Sequence, residues 1–128
     1  VSKKLILAVD DDSSICDIYE TGIPLLGFDV HCSFSGGKCK EFLKTKKPDL
    51  ILMDIMMSDQ DGISLTQEIR SNPETADIPI LIVSGLSDAA TLNDALLFGA
   101  VDYVVKPIDM DVLKGKIDRI FQLQEGKK

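Results

Sequence analysis

Apolar residues follow two patterns along this chain: short unbroken runs, and longer stretches in which they recur every three or four positions. The two alternate five times. The runs fall at about Lys4–Val9, Asp29–Phe34, Leu50–Met53, Ile80–Ser84 and Tyr103–Val105. Three of them contain LILAV, LILM and ILIV, segments apolar at every position, as strands covered by helices on both faces are. A strand followed by a helical stretch, repeated in this way, predicts a parallel sheet. The expected fold class is α/β, a doubly wound five-stranded parallel sheet with five helices distributed over both faces.

The helical stretches carry their own start and stop signals. The first opens at Ser13 or Ser14, either of which can cap it, and closes at Gly27, suited to the left-handed residue after a helix. Pro24 lacks a backbone donor and crowds the carbonyl of Glu20, which predicts a kink or an early ending there. The second covers about Gly37–Thr45, and its lysines, Lys38, Lys40 and Lys44, with Lys46 and Lys47 just beyond, read as a solvated face. The third is capped by Asp61 and stopped after about Ser71 by Asn72-Pro73. The fourth covers about Asp88–Phe98 before Gly99, and the fifth about Met110–Leu123. The fourth is more apolar than one buried stripe requires, which suggests a partner face.

Composition narrows the picture. At 128 residues the chain reads as one domain, 1–128, with a core over about 4–123 and no need of disulfides or metal staples. A net charge of −7, no Trp and only two Tyr leave neither the cationic field nor the stacking surface for direct nucleic-acid binding. Cys16, Cys32 and Cys39 share no C-x-x-C spacing, so reduced thiols in a cytoplasmic protein are expected. No apolar run is long enough to span a membrane, and the signal-peptide pattern of a basic n-region before a hydrophobic stretch is not read at the N-terminus. Opening on Val1 and closing on EGKK, the chain reads as a segment of something longer. The lone histidine, His31, reads as a packing or surface residue, and the methionines Met53, Met56 and Met57 read as core or gap fillers.

The candidate chemistry lies where strands end. In an open parallel sheet ligands gather beyond the carboxyl ends of the strands. There the sequence places Asp10 and Asp11 after the first strand, Asp54 after the third, Ser84 at the fourth and Lys106 at the fifth. Three consecutive carboxylates, Asp10, Asp11 and Asp12, follow LILAV directly. At roughly 5 Å and an effective dielectric near 20, each like pair repels by about 3 kcal/mol, so the side chains must diverge or share a cation. Mg²⁺ suits such a set, being a hard ion that takes oxygen ligands and is commonly held by one or two carboxylates with a phosphate. A carboxylate beside it can act as a nucleophile toward phosphorus, with an ammonium and a hydroxyl neutralising the equatorial oxygens.

In order along the chain, VDDD, LILMDIMM with its later DG, IVSG and YVVKP resemble the receiver domain of two-component response regulators, and the match covers essentially the whole chain. The resemblance implies strand order 2-1-3-4-5. It implies that Asp54 accepts a phosphoryl group from a phosphohistidine on a sensor histidine kinase or a histidine phosphotransfer protein. Asp11 and Asp54 would ligate Mg²⁺ directly (Mn²⁺ being an acceptable substitute), Asp10 through water, and Met56 through its backbone carbonyl. Asp12 falls outside this set, as a surface or capping residue. Ser84 would hydrogen-bond the phosphoryl group, Lys106 would pair with it, and Lys106-Pro107 would be cis. Tyr103 would be the aromatic switch that, with Ser84, reshapes the face formed by the fourth helix, fifth strand and fifth helix. An output protein or effector domain, or a second copy in a homodimer, would read that face. The resemblance also implies a regulatory phospho-acceptor and no enzyme, with self-phosphorylation and slow self-dephosphorylation only.

This chain departs from the family pattern at Ser58, where a proline is frequent, predicting a looser loop after Asp54, and at Gly85, where alanine is commoner. Met56 and Leu86, two residues beyond Asp54 and Ser84, are apolar and cannot orient a hydrolytic water. A phosphatase of the haloacid-dehalogenase type shares the aspartyl phosphate and Mg²⁺, and Asp10-x-Asp12 superficially fits its motif. That family places its nucleophile on the first strand and usually carries a cap, for which this chain leaves little room. A module with an inert site is the third reading.

Overall fold

A computed structural model describes residues 3–126. Strands β1 (Leu5–Val9), β2 (Asp29–Ser33), β3 (Leu50–Met53), β4 (Ile80–Ser84) and β5 (Asp102–Val105) alternate with helices α1 (Ser13–Leu25), α2 (Gly36–Thr45), α3 (Gly62–Ser71), α4 (Ala89–Leu97) and α5 (Met110–Glu125). All strand pairs are parallel and the order is β2-β1-β3-β4-β5, as expected.

The unbroken apolar runs are explained by two cores, one on each face of the sheet. Ile6, Ala8, Leu50, Leu52, Leu81 and Val83 meet Tyr19 and Ile23 of α1 and Leu113, Ile117 and Phe121 of α5. Their alternates Leu7, Val9, Ile51, Met53, Ile80 and Ile82 meet Cys39 of α2, Leu65 and Ile69 of α3 and Ala95 of α4. Each buried Val, Leu, Ile, Phe or Met among them contributes about 1.5–3 kcal/mol, and period-two geometry assigns neighbours to opposite faces.

Helix ends follow side-chain chemistry. The cap of α1 is Asp12, whose carboxylate accepts from the Ser14 amide at 2.9 Å and hydroxyl at 2.6 Å, in place of the serines themselves. A carboxylate at that position also meets the positive end of the helix dipole. Pro24 lies inside α1, which continues to Leu25 with Leu26 as its cap, so the early ending expected at Pro24 does not occur and the helix closes before Gly27, as that glycine signals. Gly27 and Gly99 adopt positive φ, 97° and 120°, after α1 and α4. A Cβ at Gly99 would also lie 2.6 Å from Arg70 Cγ. Arg70 needs that approach, because its guanidinium donates to the carbonyls of Gly99, Ala76 and Ile78 and so ties α3 to the bottom of β4 and β5.

The α2 lysines are exposed as expected, and His31 stacks on Phe42 with centroids 4.4 Å apart. Met53 is buried and Met57 half-buried, but Met56 is 65 % exposed, a correction to its reading as core filler: it sits on a rim loop that turns away from both cores. The cysteines are free thiols, and none of the described helices is long and apolar enough to cross a membrane.

Candidate functional site

Hydrogen bonds between strands continue one step past the strands themselves and set the site. The Asp10 amide donates to Ser33 O at 3.1 Å, the Asp54 amide to Val9 O at 3.0 Å and the Lys106 amide to Ser84 O at 2.8 Å. The backbones of Asp10, Asp54 and Lys106 are therefore as fixed as the sheet, at its carboxyl rim.

The three consecutive carboxylates fan apart. Asp10 turns inward and is 1 % exposed, Asp11 lies exposed on the rim, and Asp12 turns outward onto α1. Oxygens of Asp10, Asp11 and Asp54 nevertheless all lie within 4.8 Å of one another. One cation faces them. Lys106 Nζ is 2.7 Å from Asp10 Oδ2 and 3.5 Å from Asp54 Oδ1. The other Asp10 oxygen accepts from the Asp12 amide at 2.9 Å.

Three carboxylates against one ammonium leave negative charge uncompensated, and the electrostatics report it. Burial, then the charge of Asp10, pushes the Asp54 carboxyl up to about 6, with Lys106 opposing. Burial pulls Lys106 down, but the hydrogen bond to Asp10 and the charges of Asp10 and Asp54 outweigh it, so its pKa lies above the ordinary lysine value. A cluster of hard oxygen donors, one of them holding its proton too tightly for want of positive charge, fits a divalent cation such as Mg²⁺. Asp10, Asp11 and Asp54 are the side chains that could hold it.

Ser84 is buried and its hydroxyl accepts from the Leu86 amide at 3.1 Å. Tyr103 is half-buried against the α2–α3–α4 core, with Lys116 Nζ 5.7 Å from its ring centroid and Lys116 paired to Asp102 at 2.9 Å. The Lys106-Pro107 peptide is cis. Met56 follows Asp54 by two residues, on the loop above the cluster.

That loop is not loose, contrary to the expectation drawn from Ser58. The Ser58 amide, which a proline would lack, donates to Asp11 Oδ2 at 3.0 Å. Asp59, unremarked in the sequence, accepts from the amides of Gly36 and Gly37 at 3.0 Å each. Those amides, Gly37 first, hold its carboxyl below the usual range. Nothing in the sequence signals either contact, since both join segments far apart in the chain.

Comparison with known proteins agrees with this geometry. The family model described as "Response regulator receiver domain" matches residues 6–118. The chain is 38% identical over 123 residues to "Regulatory protein AtoC" of Escherichia coli (strain K12), which covers 96% of this chain and 26% of that protein. It is 35% identical over 126 residues to "Probable transcriptional regulator ycf27" of Cyanophora paradoxa, covering 98% of this chain and 52% of that protein. The chain thus spans between a quarter and about half the length of these curated relatives. Among solved structures, a CheY-like response regulator receiver domain protein from Methanospirillum hungatei JF-1 superposes with a TM-score of 0.92 at 26% identity, covering 99% of this chain and 100% of that one.

Proposed function

The chain belongs to the response regulator receiver domain family, a phospho-accepting switch of two-component signalling, and from that premise we propose that Asp54 takes a phosphoryl group from a phosphohistidine on a sensor histidine kinase or a histidine phosphotransfer protein. The reading is carried by the meeting of Asp10, Asp11 and Asp54 oxygens within 4.8 Å of one another, with Lys106 against two of them. An ionised Asp54 oxygen attacks phosphorus, the phosphorus–nitrogen bond breaks, and the imidazole leaves with the electron pair. Asp54, with a pKa of about 6, is largely ionised at neutral pH even without added positive charge. Asp10, Asp11, Asp54 and the Met56 carbonyl would hold Mg²⁺, or Mn²⁺ in its place, which supplies positive charge toward the phosphoryl oxygens. Lys106 turns from Asp54 to a phosphoryl oxygen, and the Ser84 hydroxyl, whose lone pair accepts from the Leu86 amide, donates its own hydrogen to another.

Movement of Ser84 opens space for Tyr103 to swing inward, which changes the α4–β5–α5 face. That face exposes Leu97, Val101, Val105 and Val112, apolar surface suited to an output protein, an effector domain or a second copy. We read residues 1–128 as a single receiver domain with its core at 4–123, working in the cytoplasm without direct nucleic-acid contact.

Incubation with acetyl phosphate and Mg²⁺, followed by intact mass, tests the reading. One phosphoryl adduct, lost in Asp54→Asn, is expected. Turnover that survives Asp54→Asn would favour a phosphatase, and no adduct an inert module. Because Met56 and Leu86 cannot orient a water, the adduct should decay slowly. Met56→Asn with Leu86→Glu should shorten its lifetime about tenfold or more, and an unchanged lifetime would refute the assignment.

A further inference from the structure

We propose that Asp59 is a positioning residue for the metal-binding carboxylates: by bolting the β3–α3 loop to the first turn of α2, it keeps the Ser58 amide on Asp11. The inference rests on the metal-centre reading above. The loop is pinched at its base, where the Gly62 amide donates to Ile55 O at 2.7 Å and a Cβ on Gly62 would lie 1.9 Å from Asp54 O. The residues between protrude over the cluster and need anchors of their own. A proline at position 58 would stiffen the backbone by fixing φ, whereas Ser58 leaves φ free and contributes its N–H to Asp11.

Asp59 replaces that stiffness from outside. Its two oxygens take the Gly36 and Gly37 amides, while Ser35 Oγ takes the Lys38 amide at 3.0 Å and Ser35 O the Cys39 amide at 3.0 Å. The first turn of α2 is thus capped half from within and half from the loop above Asp54. Contact is close, since a Cβ on Gly36 would lie 3.1 Å from Gln60 Oε1 and 3.3 Å from Gln60 Cβ. Gln60 in turn donates to Glu68, which pairs with Lys40 at 3.2 Å. Displacement of α2 would therefore be felt at Asp11 through Asp59 and Ser58, a route to the site from the side of the molecule opposite α5.

The test is Mg²⁺ affinity of the unphosphorylated chain, by calorimetry or amide chemical shifts. Asp59→Ala should raise the Mg²⁺ Kd about three- to tenfold, short of the effect of removing a partner bonded directly to a ligand. Asp59→Asn, with one acceptor oxygen, should restore part of the affinity. Ser35→Ala removes a cap from the same turn without touching the loop, and should lower Tm while leaving the Kd unchanged. In a Ser58→Pro background the effect of Asp59→Ala should fall below about twofold, because the amide that relays it is gone. Wild-type affinity in Asp59→Ala, an equal loss in Ser35→Ala, or the same loss in the Ser58→Pro background would overturn the proposal. A wild-type chain that binds no Mg²⁺ would overturn the metal-centre reading itself.

Discussion

Two carboxylates bracket β3, and their difference shows what makes one a site. Asp49 precedes Leu50–Met53 and Asp54 follows it. At the amino end Asp49 is exposed, and it exchanges two hydrogen bonds with Leu5: its amide donates to Leu5 O at 2.8 Å, and its carboxylate accepts the Leu5 amide at 2.7 Å. It completes the β1–β3 ladder. At the carboxyl end the Asp54 amide makes the matching ladder bond to Val9 O, but the residue is 6 % exposed and its carboxylate faces Asp10 and Lys106. The same strand end chemistry closes a sheet in one case and stores unbalanced charge in the other. Burial beside a like charge makes the difference.

Removing the one counter-charge should break the contrast most severely. Lys106→Met leaves Asp10 and Asp54 buried without a cation, and should cost about 3–5 kcal/mol in urea unfolding at pH 8 with a chelator present. Saturating Mg²⁺ should recover part of the loss. A cost below about 1 kcal/mol would mean that the carboxylates are compensated by solvent and that the cluster carries no excess charge.

Neutralising Asp54 should act in the opposite direction. A carboxyl raised to about 6 costs the folded chain up to about 3 kcal/mol once ionised. Below about pH 4 both folded and unfolded forms hold the proton, so the group has no effect on stability. Between about pH 4 and 6 only the folded form holds it, and stability falls as pH rises; above that the full cost is present. Asp54→Asn should therefore stabilise the metal-free chain by about 1–3 kcal/mol at pH 8 and by almost nothing at pH 4. Saturating Mg²⁺ should cancel the gain. A gain independent of pH would trace to packing and not to charge.

These residues also mark what the sequence could and could not disclose. Strands apolar at every position, such as Ile80–Ser84, announce a sheet covered on both faces, and a polar residue at the end of such a run is conspicuous, so Asp10, Asp54, Ser84 and Lys106 were legible. Element ends were blurred where several residues could cap, and Asp12 took a role that Ser13 or Ser14 could have filled. The partner order of Lys106, closer to Asp10 than to Asp54, depends on side-chain reach across β1, β3 and β5, which spacing does not encode. Asp59 lay further out of view, because its acceptors answer backbone amides, and amides carry no residue identity. At Ser58 the sequence displays a missing proline, whereas what the fold uses is the N–H that a proline would lack.

The smallest effect belongs to the other end of β3, and it sharpens the comparison because the geometry there is as good. Asp49→Ala removes the acceptor of the Leu5 amide, a short bond to a charged oxygen at an exposed edge. Water can replace that acceptor, so the cost should be about 0.5–1.5 kcal/mol. Asp49→Asn keeps an acceptor oxygen in reach and should cost less still. Neither variant should alter Mg²⁺ affinity, nor the response of stability to Mg²⁺, since no described hydrogen bond or ion pair of Asp49 reaches the rim cluster at the far end of the strand. Amide chemical shifts under Mg²⁺ titration would check this: perturbation confined to the carboxyl rim in both wild type and Asp49→Ala supports two independent ends. A change in Mg²⁺ affinity in Asp49→Ala would show instead that β3 transmits strain along its length, and that the charge at Asp54 is set partly by how the strand is anchored below.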